Sequence, residues 1–317
     1  MLFWYHSPVA TSDAPPTYAT APLEGRATTA VEAPAKVNLT LELLGTRPDG
    51  YHELRSVVMP ISLCERVEAA SRDDGRITCS TTLEGVPYFD MRSVPPGANL
   101  AEKAARALRE RTGCPLGADL AIVKRVPVGA GLGGGSADAA GALHALNRLW
   151  GLDLSAEELA EIGATFASDV PAMTLGGAVL MEGRGERVRR LSTPDGAPPL
   201  WLVLAFCGEP ISTREVYGEC PDVAKASQGA TTAMANAIAR GDAEAVARHV
   251  FNGLQATVFA RHPRTAAIAT ALSGAGAQAT LLSGSGGTVF GIARDEADAR
   301  AIAAALPTDL WHMVVRG

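Results

Sequence analysis

Pro127-Val128-Gly129-Ala130-Gly131-Leu132-Gly133-Gly134-Gly135-Ser136 is the most informative stretch of the chain. A strand pattern, Asp119–Val126, precedes it. A helical pattern from Ser136 to Trp150 follows, with Leu143, Leu146 and Trp150 on one face and Gly151 at its close. Five glycines within the seven residues 129–135 permit positive φ and a close approach of ligand to backbone, at an entropy cost that a plain turn does not require. The helix start presents free N–H groups and the positive end of the helix dipole. Together these features make a phosphate cradle. Gly129, Gly131 and Gly134 also fit the dinucleotide spacing, but that fold needs a second parallel strand after the helix, and here another helix follows. A Walker A loop has Lys where this chain has Gly135. What remains is a phosphate loop without a lysine.

Upstream of the loop the pattern is strand-rich. Val37–Leu44 alternates as a half-buried strand should, Arg47-Pro48-Asp49-Gly50 signals a turn, and Ser56–Leu63 and Arg76–Thr82 read as further strands. Pro95-Pro96-Gly97 breaks the chain before a helix over Asn99–Arg111, which Gly113 ends. Downstream, Ser155 and Glu158 form a capping box for a helix over Ser155–Phe166. Asp169-Val170-Pro171 opens another helical turn that Gly176-Gly177 breaks. Strands are expected over Ala178–Met181, Leu200–Phe206 and Thr288–Ala293, and helices over Gln228–Ala239, Ala243–Phe251, Thr265–Leu272 and Glu296–Leu306. Ser192–Pro199 reads as a surface loop, and no repeat of fixed period is present.

The 317 residues suit two domains, and 47% hydrophobic content supplies a sizeable core. A net charge of −6 argues against a general electrostatic grip on nucleic acid or anionic lipid. It does not oppose a phosphate held locally by backbone N–H groups. The five cysteines are odd in number and widely spaced, with no C-x-x-C pair, so a reducing cytoplasm is expected. No apolar run reaches membrane-span length, and the first residues lack the basic region of a secretory signal. The expected chain is a soluble cytoplasmic protein with neither nucleic acid nor membrane as partner. Its lysines are few: Lys36, Lys103, Lys124 and Lys225.

The loop closely resembles the motif P-x-G-x-G-L-G-[GS]-[GS]-S of the superfamily that contains galactokinase, homoserine kinase, mevalonate kinase and phosphomevalonate kinase. Ala33-Pro34-Ala35-Lys36-Val37-Asn38-Leu39 near the start and Leu282-Ser283-Gly284-Ser285-Gly286-Gly287 near the end resemble that superfamily's other two motifs, in the same order. Within it, residues from about Ala33 to Val315 most resemble the 4-diphosphocytidyl-2-C-methyl-D-erythritol kinases. Arg47-Pro48-Asp49-Gly50-Tyr51-His52-Glu53-Leu54 carries that resemblance, with Gly129–Ala140, Ala167-Ser168-Asp169-Val170-Pro171, Gly176-Gly177-Ala178 and Gly183-Arg184-Gly185-Glu186. The chain departs from the family pattern at Ala98, where Asp is usual, at Ala172-Met173, where two aromatics are common, and at Ala137-Asp138 after Ser136.

The resemblance implies an α+β, two-lobed small-molecule kinase fold, with an N-terminal lobe like ribosomal S5 domain 2 and a ferredoxin-like C-terminal lobe. Residues 1–26 are expected to be a flexible tail, 27–175 the ATP-loop and catalytic domain, and 176–317 a domain completing the substrate cleft. The implied reaction is the MgATP-dependent phosphorylation of the 2-hydroxyl of the cytidine-diphosphate-linked methylerythritol, in the non-mevalonate route to isoprenoid precursors. The implied assembly is a monomer or homodimer.

By resemblance the ATP contacts are Pro127, Val128, Gly129, Ala130, Gly131, Leu132, Gly133, Gly134, Gly135, Ser136 and Ala137, together with Asn99; Ser136 is also a candidate Mg²⁺ ligand. Asp169 is the implied general base, since a carboxylate beside the acceptor hydroxyl can take its proton. On the residues alone, Asp before Val-Pro is equally an ordinary helix N-cap. Lys36 resembles the family's catalytic lysine, a fixed charge that orients the aspartate; a lone lysine is otherwise a solvated surface group. Asn38 falls on the strand face of Lys36 and is the implied contact to the erythritol. Tyr51 and His52 are the implied contacts to cytosine, one ring stacking and the other reading a polar edge, although a lone Tyr-His pair is more often surface or core packing. Tyr217, in Ile211-Ser212-Thr213-Arg214-Glu215-Val216-Tyr217, aligns with an aromatic on cytosine's other face. Two alternatives stand beside this reading. One is a sister kinase acting on homoserine or mevalonate, which offer no base for Tyr51-His52 to read. The other is a non-catalytic nucleotide binder, which would need neither Lys36 nor Asp169.

Overall fold

Thr28–Thr46 (β1) and His52–Arg72 (β2) form one long antiparallel hairpin. The turn that joins them is closed by Gly50 N–H to the Arg47 carbonyl at 3.0 Å, with Gly50 at φ +82°. The computed structural model describes residues 26–87, 97–191, 199–220 and 229–317. The expected tail up to residue 25, Pro95-Pro96 and most of the Ser192–Pro199 loop lie outside those residues. Register along the hairpin slips between Pro34 and Lys36, between Asn38 and Thr40, and between Leu43 and Gly45. Pro34 has no N–H for the ladder, and such irregularities re-aim the side chains beside them. Lys36 and Asn38 sit at two of the three.

Ile77–Leu83 (β3) pairs in parallel with Gly117–Lys124 (β4), and β4 pairs antiparallel with the distal half of β2. The proximal half of β2 pairs instead with Val179–Gly183 (β5), which carries Arg187–Arg190 (β6) on its other side. Residues 179–190 thus extend the first sheet, although they follow residue 175 in the chain. The second sheet is antiparallel, in the order Trp311–Arg316 (β11), Trp201–Phe206 (β7), Thr288–Ala293 (β10), Ala279–Leu282 (β9). The short strand Phe251–Asn252 (β8) adds to the edge of β1.

Helix ends follow their caps. Leu100–Thr112 (α1) starts at Asn99, whose side-chain oxygen accepts from Ala101 N and Glu102 N, and stops at Gly113 in the left-handed region. Gly134–Leu149 (α2) begins two residues before the expected start, because Gly133 takes the left-handed conformation at its N-cap. Ala156–Ala164 (α3) has the capping box of Ser155 and Glu158. Val170–Leu175 (α4) ends at Gly176. Thr213–Glu219 (α5) and Ala230–Ala239 (α6) follow. Ala243–His249 (α7) stops before the expected Phe251, which joins the sheet: Asn252 is buried and donates to the carbonyls of Leu282 and Gly284, both at 2.8 Å. Gln255–Arg261 (α8), Pro263–Gly274 (α9) and Glu296–Ala304 (α10) complete the chain.

Three apolar layers result. One lies between the two sheets, where Val37, Leu39 and Met59 meet Leu202, Leu204 and Phe290. A second packs α1, α2 and α3 against the first sheet through Leu108, Leu143, Leu146, Val67 and Leu120. The third packs α9 and α10 on the second sheet through Ile268, Leu272, Val203 and Ile302. At about 25 cal/mol per Å² of buried apolar surface, these layers are the main source of stability. Among the described residues no helix is long and apolar enough to cross a membrane, and all five cysteines are unpaired.

Candidate active site

The loop between β4 and α2 is held from below by the turn after β9. Ser283 Oγ donates to the Gly131 carbonyl at 3.0 Å, and Thr288 N–H donates to the Ala130 carbonyl at 3.0 Å. Gly131 has φ +77°; a Cβ there would run into the Ser283 carbonyl and lie 2.7 Å from that of Gly286. Only glycine satisfies both the conformation and the space. The resemblance had matched the Leu282–Gly287 turn to a superfamily motif, and this packing gives it a physical task.

Above that floor, α2 starts with no side chain capping its first N–H groups. Such a cap is present on α1, α3, α5, α7 and α10 and absent from α4, α6, α8 and α9 as well, so what distinguishes α2 is the glycine loop that leads into it. Open N–H groups at a helix start, after glycines with φ near +70°, offer donors and dipole charge to an anion. Gly129 and Gly135 are exposed, and Ser136 is half-buried in the first turn. Asn99 stands at the start of α1, beside the loop: its neighbour Leu100 would lie 3.5 Å from a Cβ on Gly135. The Asn99 oxygen is engaged in capping, and its amide nitrogen faces Cys79 Sγ at 3.5 Å.

Lys36 joins this loop to Asp169. The side chain is 6% exposed, and its stem passes beneath Gly133, where a Cβ would lie 3.1 Å from both Cγ and Cε. Its Nζ donates to Asn38 Oδ1 at 2.6 Å and to the Gly131 carbonyl at 3.0 Å, and lies 3.6 Å from Asp169 Oδ2. Asn38 is itself fixed, donating from Nδ2 to Ser56 Oγ at 2.8 Å. Asp169 occupies the N-cap position of α4, yet its side chain makes no capping hydrogen bond. The carboxylate is about one-third exposed and turned towards the lysine. Its place is set from behind. Val170 is fully buried against Gly163, where a Cβ would lie 2.6 Å from Val170 Cγ1. Met173, one of the two departures from the family's aromatics, would lie 3.0 Å from a Cβ on Gly133 and so packs under the loop.

His52, at the start of β2, meets Tyr217 of α5, and Tyr51 precedes His52 at the exposed end of the turn. The rings of His52 and Tyr217 are 5.4 Å apart and tilted by 54°, while Tyr51 is exposed, with the Arg184 guanidinium 5.5 Å from its ring centre. Burial, then the charge of Asp169, pushes the Tyr217 phenol above its ordinary range. Tyr217 therefore feels the same carboxylate that Lys36 faces.

Sequence reasoning missed a buried ionic cluster at the base of the loop. Lys124, the last residue of β4, lies 2.5 Å from Glu65 Oε1 and 2.7 Å from Asp138 Oδ2. Glu65 Oε2 also accepts from Arg125 N–H at 2.6 Å. Burial pushes the Glu65 carboxyl up to about 7, with Lys124 opposing and the Asp138 charge adding to the rise. A Cβ on Gly134 would lie 2.9 Å from Glu65 Oε1 and 3.2 Å from Lys124 Nζ, so the cluster touches the backbone where α2 begins. The available signal was the pairing of Lys124 and Asp138 on either side of a glycine loop, in a chain with few lysines.

Comparison with known proteins agrees with this geometry. Residues 99–177 match the GHMP kinases N terminal domain and residues 234–311 the GHMP kinases C terminal family. A 4-diphosphocytidyl-2-C-methyl-D-erythritol kinase of Bacillus cytotoxicus is 42% identical over 262 residues, covering 83% of this chain and 87% of its own length. Another, of Symbiobacterium thermophilum, is 43% identical over 290 residues, covering 90% of this chain and 98% of its own. A crystal structure of a 4-(cytidine 5'-diphospho)-2C-methyl-D-erythritol kinase superposes with a TM-score of 0.67 at 32% identity, covering 91% of this chain and 99% of the other. With its α+β fold in two sheets, the chain is a small-molecule kinase and belongs to the 4-diphosphocytidyl-2-C-methyl-D-erythritol kinase family.

Proposed function

We propose that the chain transfers the γ-phosphoryl group of MgATP to the 2-hydroxyl of 4-diphosphocytidyl-2-C-methyl-D-erythritol and releases ADP. The observation that carries this is Lys36, buried and bonded at once to the phosphate-loop carbonyl of Gly131 and facing Asp169. One cation thereby ties the donor cradle to a carboxylate in position to act as base.

In this reading the open N–H groups of α2 hold the ATP phosphates, and Asp169 accepts the proton of the acceptor hydroxyl as the oxygen–phosphorus bond forms and the bond to the ADP oxygen breaks. Lys36 orients Asp169 and stabilises charge developing between the two substrates. Asn38 keeps the ammonium in place, which adds a task to its implied contact with the erythritol. His52 and Tyr217, with Tyr51 at the rim, take the cytosine between aromatic faces.

Among the described residues no group of three His, Cys, Asp or Glu is disposed to hold a metal. An ion brought in with the nucleotide would be held on the protein side by Ser136. Bound with ATP, Mg²⁺ supplies charge neutralisation at the β- and γ-phosphates. The five unpaired thiols fit a reducing compartment such as the cytoplasm.

The test is ADP release with the cytidine-linked acceptor, homoserine and mevalonate offered separately. Turnover confined to the first supports the proposal. Turnover with homoserine or mevalonate instead would move the chain to a sister activity, and ATP binding without turnover of any acceptor would make it a nucleotide-binding protein.

A further inference from the structure

Gly183-Arg184-Gly185-Glu186 joins β5 to β6 in a tightly determined turn. Gly183 and Gly185 have φ of +77° and +115°. The Glu186 carboxylate accepts from Arg184 N–H at 2.7 Å and lies 2.6 Å from where a Cβ on Gly183 would stand. A Cβ on Gly185 would lie 3.0 Å from Ser168 Cβ. The turn is thus pressed against the residue that precedes Asp169, and glycine at 185 is what allows the approach.

The Arg184 side chain leaves this turn toward the other end of the acceptor site. Its guanidinium lies 5.5 Å from the Tyr51 ring centre, and Nη2 donates to the Ala164 carbonyl at 3.4 Å. Among the described residues no carboxylate side chain pairs with that guanidinium. Its neighbours differ: Arg187 pairs with Glu53 and Glu186, and Arg190 with Glu157. A half-buried arginine held by a carbonyl and an aromatic face, with its fork unclaimed by a carboxylate, is prepared for an anion.

The acceptor proposed above presents one. It carries a nucleobase at one end and the reacting hydroxyl at the other, with a diphosphate bearing two negative charges between them. None of the residues singled out from sequence was assigned to that diphosphate. Lys36 is committed to Asn38, Gly131 and Asp169. Arg184 stands over Tyr51, on a turn whose Gly185 abuts Ser168, the residue before the proposed base.

We propose that Arg184 binds the diphosphate of the nucleoside-diphosphate-linked acceptor and makes the site select charged cytidine compounds over cytidine itself. This rests on the acceptor reading under Proposed function. Arginine suits the task because its planar fork can give two hydrogen bonds to phosphate oxygens, which a lysine cannot match.

The test is calorimetric titration of CDP and cytidine into the wild-type chain and into Arg184→Gln and Arg184→Lys, with the phosphate loop saturated by a non-hydrolysable ATP analogue. Wild type should bind CDP about tenfold or more tightly than cytidine, as expected for a charge-assisted contact. In Arg184→Gln that preference should shrink to within about threefold while cytidine affinity is kept, which also reports an intact fold. Arg184→Lys should recover part of the preference. An Arg184→Gln chain that still prefers CDP as strongly as wild type would overturn the role of Arg184 and leave the cytidine reading standing. A wild-type chain that binds neither compound would overturn both.

Discussion

Lys36 Nζ lies 3.6 Å from Asp169 Oδ2 and 3.0 Å from the Gly131 carbonyl oxygen, so a single buried ammonium spans the glycine loop and the carboxylate. The chain brings them together by a bulged strand, a glycine loop without side chains in the way, and a helix start fixed by Val170. Replacing Lys36 by Met should leave the apolar stem beneath Gly133 and remove only the charge. Acceptor-dependent ADP release is expected to fall by about two to three orders of magnitude, the usual size of a lost electrostatic contact at a transition state. Lys36→Arg should not restore it, because the wider fork does not fit under Gly131 and Gly133. Recovery of wild-type rate in Lys36→Arg would show that charge alone matters.

Gly131→Ala tests the clamp between the two loops. The new methyl meets the Ser283 carbonyl and φ is +77°. Destabilisation of more than about 1 kcal/mol is expected in urea unfolding, with a raised KM for ATP as the loop shifts. An unchanged midpoint and unchanged KM would mean that the turn gives way freely.

The buried cluster predicts a pH dependence of stability. Glu65 is raised from its ordinary 4.5 to about 7, mainly by burial. The fold therefore binds this proton more tightly than the unfolded chain, and stability should decline as pH rises through that window. Glu65→Gln should flatten the decline in urea unfolding compared at pH 5 and pH 8. Lys124→Met should cost about 3–5 kcal/mol, since it leaves two buried carboxylates without their cation. A Lys124→Met chain as stable as wild type would show that the cluster is not ionised as a unit.

Tyr217→Ala should weaken CDP binding by about tenfold or more, as loss of a stacked base does, while Tyr217→Phe should stay near wild type. ATP affinity serves as the control, because the Tyr217 ring pairs with His52. Equal loss of ATP and CDP binding would instead indicate a disturbed fold.

The glycine loop between strand and helix, the Ser155 cap and the motif carrying Asp169 were legible in the sequence, because each depends on residues close together in the chain; the Asn99 cap was not read, although Asn at a helix start is its usual signal. Lys36 and Asn38 were legible through the same local motif, but their mutual hydrogen bond depends on register slips that alternation alone does not reveal. Other elements were hidden because their cause is tertiary. Arg187–Arg190 shows no apolar alternation and becomes a strand only by pairing with β5. Phe251–Asn252 continues a helical pattern until β1 and the Leu282–Gly284 carbonyls capture it. Lys124 was only counted among the lysines and Arg184 only matched within a motif, and the folded chain shows one sealed between two carboxylates and the other over Tyr51.

The most direct measurement compares ADP release from MgATP, with the cytidine-diphosphate methylerythritol as acceptor, for the wild-type chain and Asp169→Asn. The account predicts acceptor-dependent release in wild type and a fall of about two to four orders of magnitude in the variant, the usual contribution of a positioned base, with ATP and CDP binding retained. Turnover in Asp169→Asn within about tenfold of wild type, below the range expected for a general base, would contradict it.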